Sequence, residues 1–185
     1  YKSTQRYGAN HIDIAEQTFT ADSDGEVQHL NIITQGVSST QRVGKKIALH
    51  SLQIQGYAQY STASGVERLS YMIVYDNQPT GSLPAVSDIL SGTDSYGFTN
   101  DDNLNRFEII RHKRFTWYGG GYTPYAEDIA DYVPLKNGLT VYKNLGTGVI
   151  ADVSKGALYI VVVSDKAPGT TNPDLISMRL RYSDI

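Results

Sequence analysis

Two short runs, YMIVYD at Tyr71–Asp76 and ALYIVVV at Ala157–Val163, are apolar on both parities. Successive side chains of a strand point to opposite faces. A segment of this kind therefore needs cover on both sides, either centrally within a layered sheet or beneath a loop. Both runs are of strand length and rich in β-branched and aromatic residues, which favours strand over helix. A chain with two such strands must build packed β layers.

The remaining patterning agrees. Residues 27–34 (VQHLNIIT) have the length of a short strand. Lys45–Tyr60 (KKIALHSLQIQGYAQY) reads as a long strand with a phase slip: Ile47 and Leu49 share one parity, Leu52 and Ile54 the other. One extra residue near His50, a β-bulge, brings all four to one face. Lys46, Ser51, Gln53, Gln55 and Tyr57 then form the polar face. Residues 105–117 (NRFEIIRHKRFTW) form another strand. Residues 129–135 (IADYVPL) and 139–143 (LTVYK) read as paired strands around the turn KNG, followed by a short strand at 148–153. The last strand, DLISMRLRYSDI, alternates cleanly: Ile176, Met178, Leu180 and Tyr182 face in, Ser177, Arg179 and Arg181 face out. No strong amphipathic helix and no internal repeat accompany them. The class is all-β, and the strand spacing suggests a sandwich such as a jelly roll.

Between the strand ending at Asp76 and the next one, residues 77–104 carry no strand pattern. Pro79 and Gly81 break the chain, and Pro84 opens one or two helical turns over LPAVSDIL. Loops of this length are uncommon and usually functional. Residues 1–26 are polar and read as an N-terminal arm that takes order from a partner or from the domain surface. Residues 27–185 form one domain, a length that buries roughly two-thirds of the unfolded surface.

Nothing in the chain assembles a catalytic or metal site. There is no cysteine, so no disulfide and no thiolate. His11, His29, His50 and His112 fall at no metal-ligand spacing. DSDGE at 22–26 begins like a calcium loop, but the positions that need glycine and glutamate hold Val27 and Ile33. YGGGY at 118–122 lacks the lysine and the helix of a phosphate cradle, and no nucleophile elbow occurs. No enzyme activity and no cofactor are expected. No apolar run approaches the roughly 18 residues of a membrane span. The net charge is −3, with acids in loops (Asp22/Asp24/Glu26, Asp101/Asp102, Glu127/Asp128/Asp131) and bases on strands (Arg42/Lys45/Lys46, Arg111/Lys113/Arg114, Arg179/Arg181).

Several stretches, in order, resemble the capsid proteins of small circular Rep-encoding single-stranded DNA viruses, the group that includes the geminiviruses. They are RVGKKIALHSLQIQGY (42–57), YMIVYDNQPTGSLPAVSDIL (71–90), NRFEIIRHKRF (105–115), YVPLKNGLTVYKN (132–144), and GALYIVVVSD followed by LISMRLRYSDI. The resemblance covers about residues 27–185. That family usually carries an arginine- and lysine-rich arm, which these residues lack, so a basic segment is expected before Tyr1.

The resemblance implies an eight-stranded viral jelly roll of two four-stranded antiparallel sheets, BIDG and CHEF. Its strands would be B at 45–60, C at 68–76, D at 105–117, E at 128–135, F at 139–143, G at 148–154, H at 156–164 and I at 175–184, with the short helix in the C–D loop. Many copies would assemble into a small icosahedral shell, T=1, around a circular single-stranded DNA genome. The implied places are the virion and, during assembly, the host nucleus. On that strand lettering, Lys45 and Lys46 lie on B, Arg111, Lys113 and Arg114 on D, and Arg179 and Arg181 on I, which are neighbours; with Arg42 they are expected to contact DNA phosphates, which neutralises charge without reading sequence. Pro79, Gly81, Pro84, Val86, Ile89, Leu90, Trp117 and Tyr122 are expected at subunit interfaces. Two other readings stand beside this one. One is a ligand-binding sandwich, either a lectin with stacking tyrosines and Trp117 or a trimeric cytokine-like jelly roll. The other is the capsid protein of a small RNA or satellite virus.

Overall fold

The computed structural model describes residues 10–20, 22–60, 66–92, 95–118, 125–165 and 174–185. Its strands are β1 (Asn10–Phe19), β2 (Glu26–His29), β3 (Lys46–Tyr60), β4 (Val66–Asp76), β5 (Phe107–Tyr118), β6 (Tyr125–Tyr142), β7 (Val153–Lys155), β8 (Ala157–Ser164) and β9 (Asp174–Asp184). One helical turn, α1 (Val86–Ile89), lies between β4 and β5. The strands form two antiparallel sheets, ordered β1-β9-β3-β6-β7 and β2-β8-β4-β5.

This is the jelly-roll order. With β1 to β6 lettered B to G, and β8 and β9 lettered H and I, the sheets read B-I-D-G and C-H-E-F, with β7 as an added edge. The lettering expected from sequence is therefore shifted. Lys46–Tyr60 is strand D, Val66–Asp76 is E and Phe107–Tyr118 is F. The short helix exists but sits in the E–F connection. Strand B comes from within the polar N-terminal stretch. There Asn10–Phe19 pairs with β9, with a register slip between Ile14 and Gln17.

The bulge in β3 falls where the phase slip put it: both neighbours of β3 shift register between Leu49 and Ser51. Ile47, Leu49, Leu52 and Ile54 all become fully buried. The expected turn at KNG is not a turn. Pro134 pairs with Ser51 and Gly138 with Leu49, so Leu135–Asn137 bulge out opposite His50 while β6 continues along β3. Lys136 takes φ 46 there. Reversing the chain at KNG would have removed Leu139–Val141 from their pairing with β3, which holds β6 straight on both sides of the bulge.

Leu69, Tyr71, Ile73 and Tyr75 of β4 face the other sheet; the hydroxyls of Tyr71 and Tyr75 donate across the gap to Asp131 and to the Leu139 carbonyl. Met72 and Val74 face outward yet are fully buried, as are Val161 and Val163 of β8. Their cover is the β4–β5 connection, whose Val86, Ile89 and Leu90 join the same apolar cluster. Both ends of that connection are held by Asp76. Its carboxylate accepts from Arg106 (2.9 Å), from the Gln78 amide and from the Tyr159 hydroxyl. The two-sided apolar run thus has its physical reason: one side packs on the opposing sheet, the other beneath the chain's own loop.

Candidate nucleic-acid and assembly surfaces

The basic residues do not gather on one face. Lys46, Arg179 and Arg181 lie on the outer side of the B-I-D-G sheet. Arg179 and Arg181 stand opposite Asp13 and His11 of β1 on one flank and Gln53 and Ser51 of β3 on the other. A shallow groove of about 350 Å³ follows this face, lined in part by Asp13, Gln53, Gln55, Ser177 and Arg179. Arg179 donates two hydrogen bonds to Asp13, at 2.6 and 2.7 Å. That contact holds the Asp13 carboxyl below its ordinary pKa and raises the arginine's. Arg181 makes no ion pair among the described residues. Lys45 and Lys46 are exposed at the start of β3.

Arg111, Lys113 and Arg114 lie on β5, in the other sheet, because strand F pairs with E rather than with I. They cannot share a surface with Arg181, and the expected single cluster is corrected to two. Arg111 bridges the open side of the sandwich, donating to Asp131 at 2.8 Å and to the Tyr132 carbonyl. Lys113 lies over the Phe115 ring at 5.3 Å. Arg114 is exposed.

Arg42, expected at phosphate, is fully buried. Its guanidinium stacks on Tyr142 at 4.0 Å, meets Asp152 at 3.1 Å and donates to the carbonyls of Ile33 and Gly44. Asp152 also accepts from the amides of Leu145 and Gly148. Burial works to raise the Asp152 pKa, but those amides and Arg42 outweigh it and hold the carboxyl low. Every polar atom of the pair is answered, as a buried pair requires. Arg42 clasps two connections together and is withdrawn from any ligand.

The expected interface residues also divide. Pro84, Val86, Ile89 and Leu90 are buried within the subunit, and Trp117 stacks on Phe115 at 5.7 Å between the sheets. These are interior residues, because the outward side of β4 and β8 needs apolar cover. Pro79 and Gly81 are half-buried, and Gly81 takes φ 91, a conformation side chains rarely adopt. Tyr122 lies outside the described residues. Sequence reasoning missed the partners of these arginines, Asp13, Asp131 and Tyr96, since each pairing depends on how strands and connections are placed in space and on no local pattern. Among the described residues no cluster of metal-ligating side chains occurs. No described helix is long and apolar enough to cross a membrane.

The family model described as geminivirus coat protein/nuclear export factor BR1 family matches residues 1–185. Among curated relatives, the capsid protein of Miscanthus streak virus (isolate 91) is 27% identical over 168 residues, 79% of this chain and 66% of that protein. The capsid protein of Mungbean yellow mosaic virus (strain Vigna) is 22% identical over 176 residues, 89% of this chain and 67% of that protein. The chain thus spans about two thirds of the length of these relatives. A solved structure of Desmodium yellow mottle tymovirus aligns over 94% of this chain and 86% of its own, with 11% identity and a TM-score of 0.40. A structure of infectious bursal disease virus, Gx strain, aligns over 95% of this chain and 33% of its own, with 11% identity and a TM-score of 0.30.

Proposed function

The chain belongs to the geminivirus coat protein/nuclear export factor BR1 family, and we propose that it is the structural subunit of a virion shell. Many copies pack into a small icosahedral particle, T=1, around circular single-stranded DNA, and assembly takes place in the host nucleus. The observation that carries this reading is the B-I-D-G and C-H-E-F strand order in a chain matched over its whole length by that family. Both curated relatives are capsid proteins, which favours the shell role over the other role in the family's name. A rigid two-sheet wedge with long connections suits a tile: the sheets keep its shape, and the connections reach neighbours.

Within this reading the outer B-I-D-G face meets the genome. Arg181, Lys45 and Lys46 neutralise phosphates, Gln53 and Gln55 supply neutral hydrogen bonds, and Arg179 joins when phosphate competes with Asp13. Such contacts position a strand without reading its sequence. The net charge of −3 cannot balance a genome, so a basic segment outside these residues supplies the rest. The test is the double variant Arg179→Gln/Arg181→Gln in the intact coat protein. Its particles should carry less nucleic acid, read by the ratio of absorbance at 260 and 280 nm, and should lose it at lower salt. Particles with unchanged content and salt response would reject this face as the genome contact.

A further inference from the structure

We propose that the outward side of β4 and β5, beside their connecting loop, is a subunit contact that receives the acidic turn Asp101–Leu104 of a second copy of this chain. The proposal rests on the shell reading above and names one of its contacts.

Arg68 and Arg114 share the outward parity of this sheet: Arg68 stands opposite Thr116, and Arg114 opposite Ser70. Tyr96, from the connection, lies between them, with the guanidinium carbons 5.5 and 5.3 Å from its ring centre. Its hydroxyl hydrogen-bonds Thr116. Arg68 also touches Asp165 at 3.4 Å. The polar neighbour of Arg114 is the Nδ1 of His112, at 3.1 Å, and Arg114 meets no carboxylate among the described residues. Beyond this cluster Tyr118 and Val66, a cross-strand pair, are 79% and 53% exposed. An arginine and tyrosine centre beside open apolar surface has the composition of an interface hot spot.

The complement is present on the same chain. Asp101 and Asp102 are exposed and make no ion pair among the described residues, and Leu104 beside them is 55% exposed. Their turn is held in shape before any contact. The Asn100 side chain accepts from the Asp102 amide at 3.0 Å, Asn103 donates to the Asp88 carbonyl at 2.9 Å, and the Arg106 amide closes on Asn103. A preformed turn loses little freedom on docking. Acid with an exposed leucine fits arginine with exposed tyrosine and valine. The two surfaces are distinct, so the contact is head-to-tail, the kind that closes rings about a rotation axis. Packaged DNA fits this patch less well: beside its arginines lies open apolar surface, Tyr118 and Val66, which matches an exposed leucine rather than a phosphate backbone.

The test is charge reversal in the intact coat protein. Arg68→Glu/Arg114→Glu should raise the concentration needed for shell formation about tenfold or more, since losing one side of a desolvated charged contact weakens association steeply. Asp101→Lys/Asp102→Lys should do the same, and the four changes together should restore assembly toward wild type. Both doubles replace exposed side chains, and circular dichroism and the melting midpoint should show folded subunits. Assembly at wild-type concentration in the arginine double would overturn the proposal. So would a loss that the aspartate changes fail to rescue in folded protein. Normal shells with reduced nucleic acid would assign the patch to the genome instead. Wild-type protein that forms no shell would overturn the shell reading itself, and it is told apart because no variant is involved.

Discussion

Arg42 shows how a single side chain can be read correctly as basic and wrongly as available. In sequence it opens a basic run at the start of a strand, where charges usually face solvent. Its partner Asp152 is 110 positions away, and nothing local announces the pairing. In the fold the two close a seam between loops, fully buried. Removing one member of such a pair strands the other, at about 3–5 kcal/mol. Arg42→Met should lower the unfolding free energy of the subunit, read by urea denaturation, by an amount of that order. The particles that still form should hold wild-type amounts of nucleic acid. Lost packaging without lost stability would return Arg42 to the genome-facing set.

His29 makes a second residue-scale prediction. It is 5% exposed beside Tyr159, and neither ring nitrogen has a hydrogen-bond partner. Burial pushes its pKa down from 6.5 to about 4; Asn31 opposes the shift, but its amide is committed to Thr140, Gly156 and Leu158. The unfolded chain takes up this proton first. Stability is therefore intact above pH 6.5 and falls as pH drops from 6.5 toward 4, by about 3 kcal/mol at most. Urea midpoints measured at pH 7, 5.5 and 4.5 should decline for wild type and decline less for His29→Gln. Equal slopes for the two proteins would reject this origin.

At the scale of elements, legibility followed periodicity. The β3 bulge was readable because Ile47/Leu49 and Leu52/Ile54 sit on opposite parities, and only one inserted residue reconciles them. β6 was misread because Lys-Asn-Gly carries turn chemistry, while the pairing that keeps the strand straight comes from β3, remote in sequence. Strand β1 was hidden because its alternation lasts only through Ile12 and Ile14 before the register slips. The β4–β5 connection was legible as a long, partly helical excursion, but not as the roof of its own sheet. That roof yields a prediction that separates interior from interface. Ile89 is fully buried, so Ile89→Ala should destabilise the isolated subunit by about 2–5 kcal/mol. A variant of normal stability that fails only to assemble would place the helix at a subunit boundary.

For the whole molecule, the fold class follows from the sequence, whereas the membership of the two sheets and the placement of charge do not. A shift of two letters moved Arg111, Lys113 and Arg114 from the sheet that holds Arg181 to the opposite one. The molecule consequently has two distinct cationic faces: a polar groove along β9 and β3, and an arginine–tyrosine cluster on β4 and β5. On the proposed reading the first meets packaged DNA and the second an acidic turn of a neighbouring copy. The central claim is that this jelly roll is a tile of a closed particle. Negative-stain electron microscopy of the purified intact coat protein at neutral pH tests it most directly. Closed isometric shells of uniform diameter are the expected result; a field of monomers or trimers at the same concentration would overturn it.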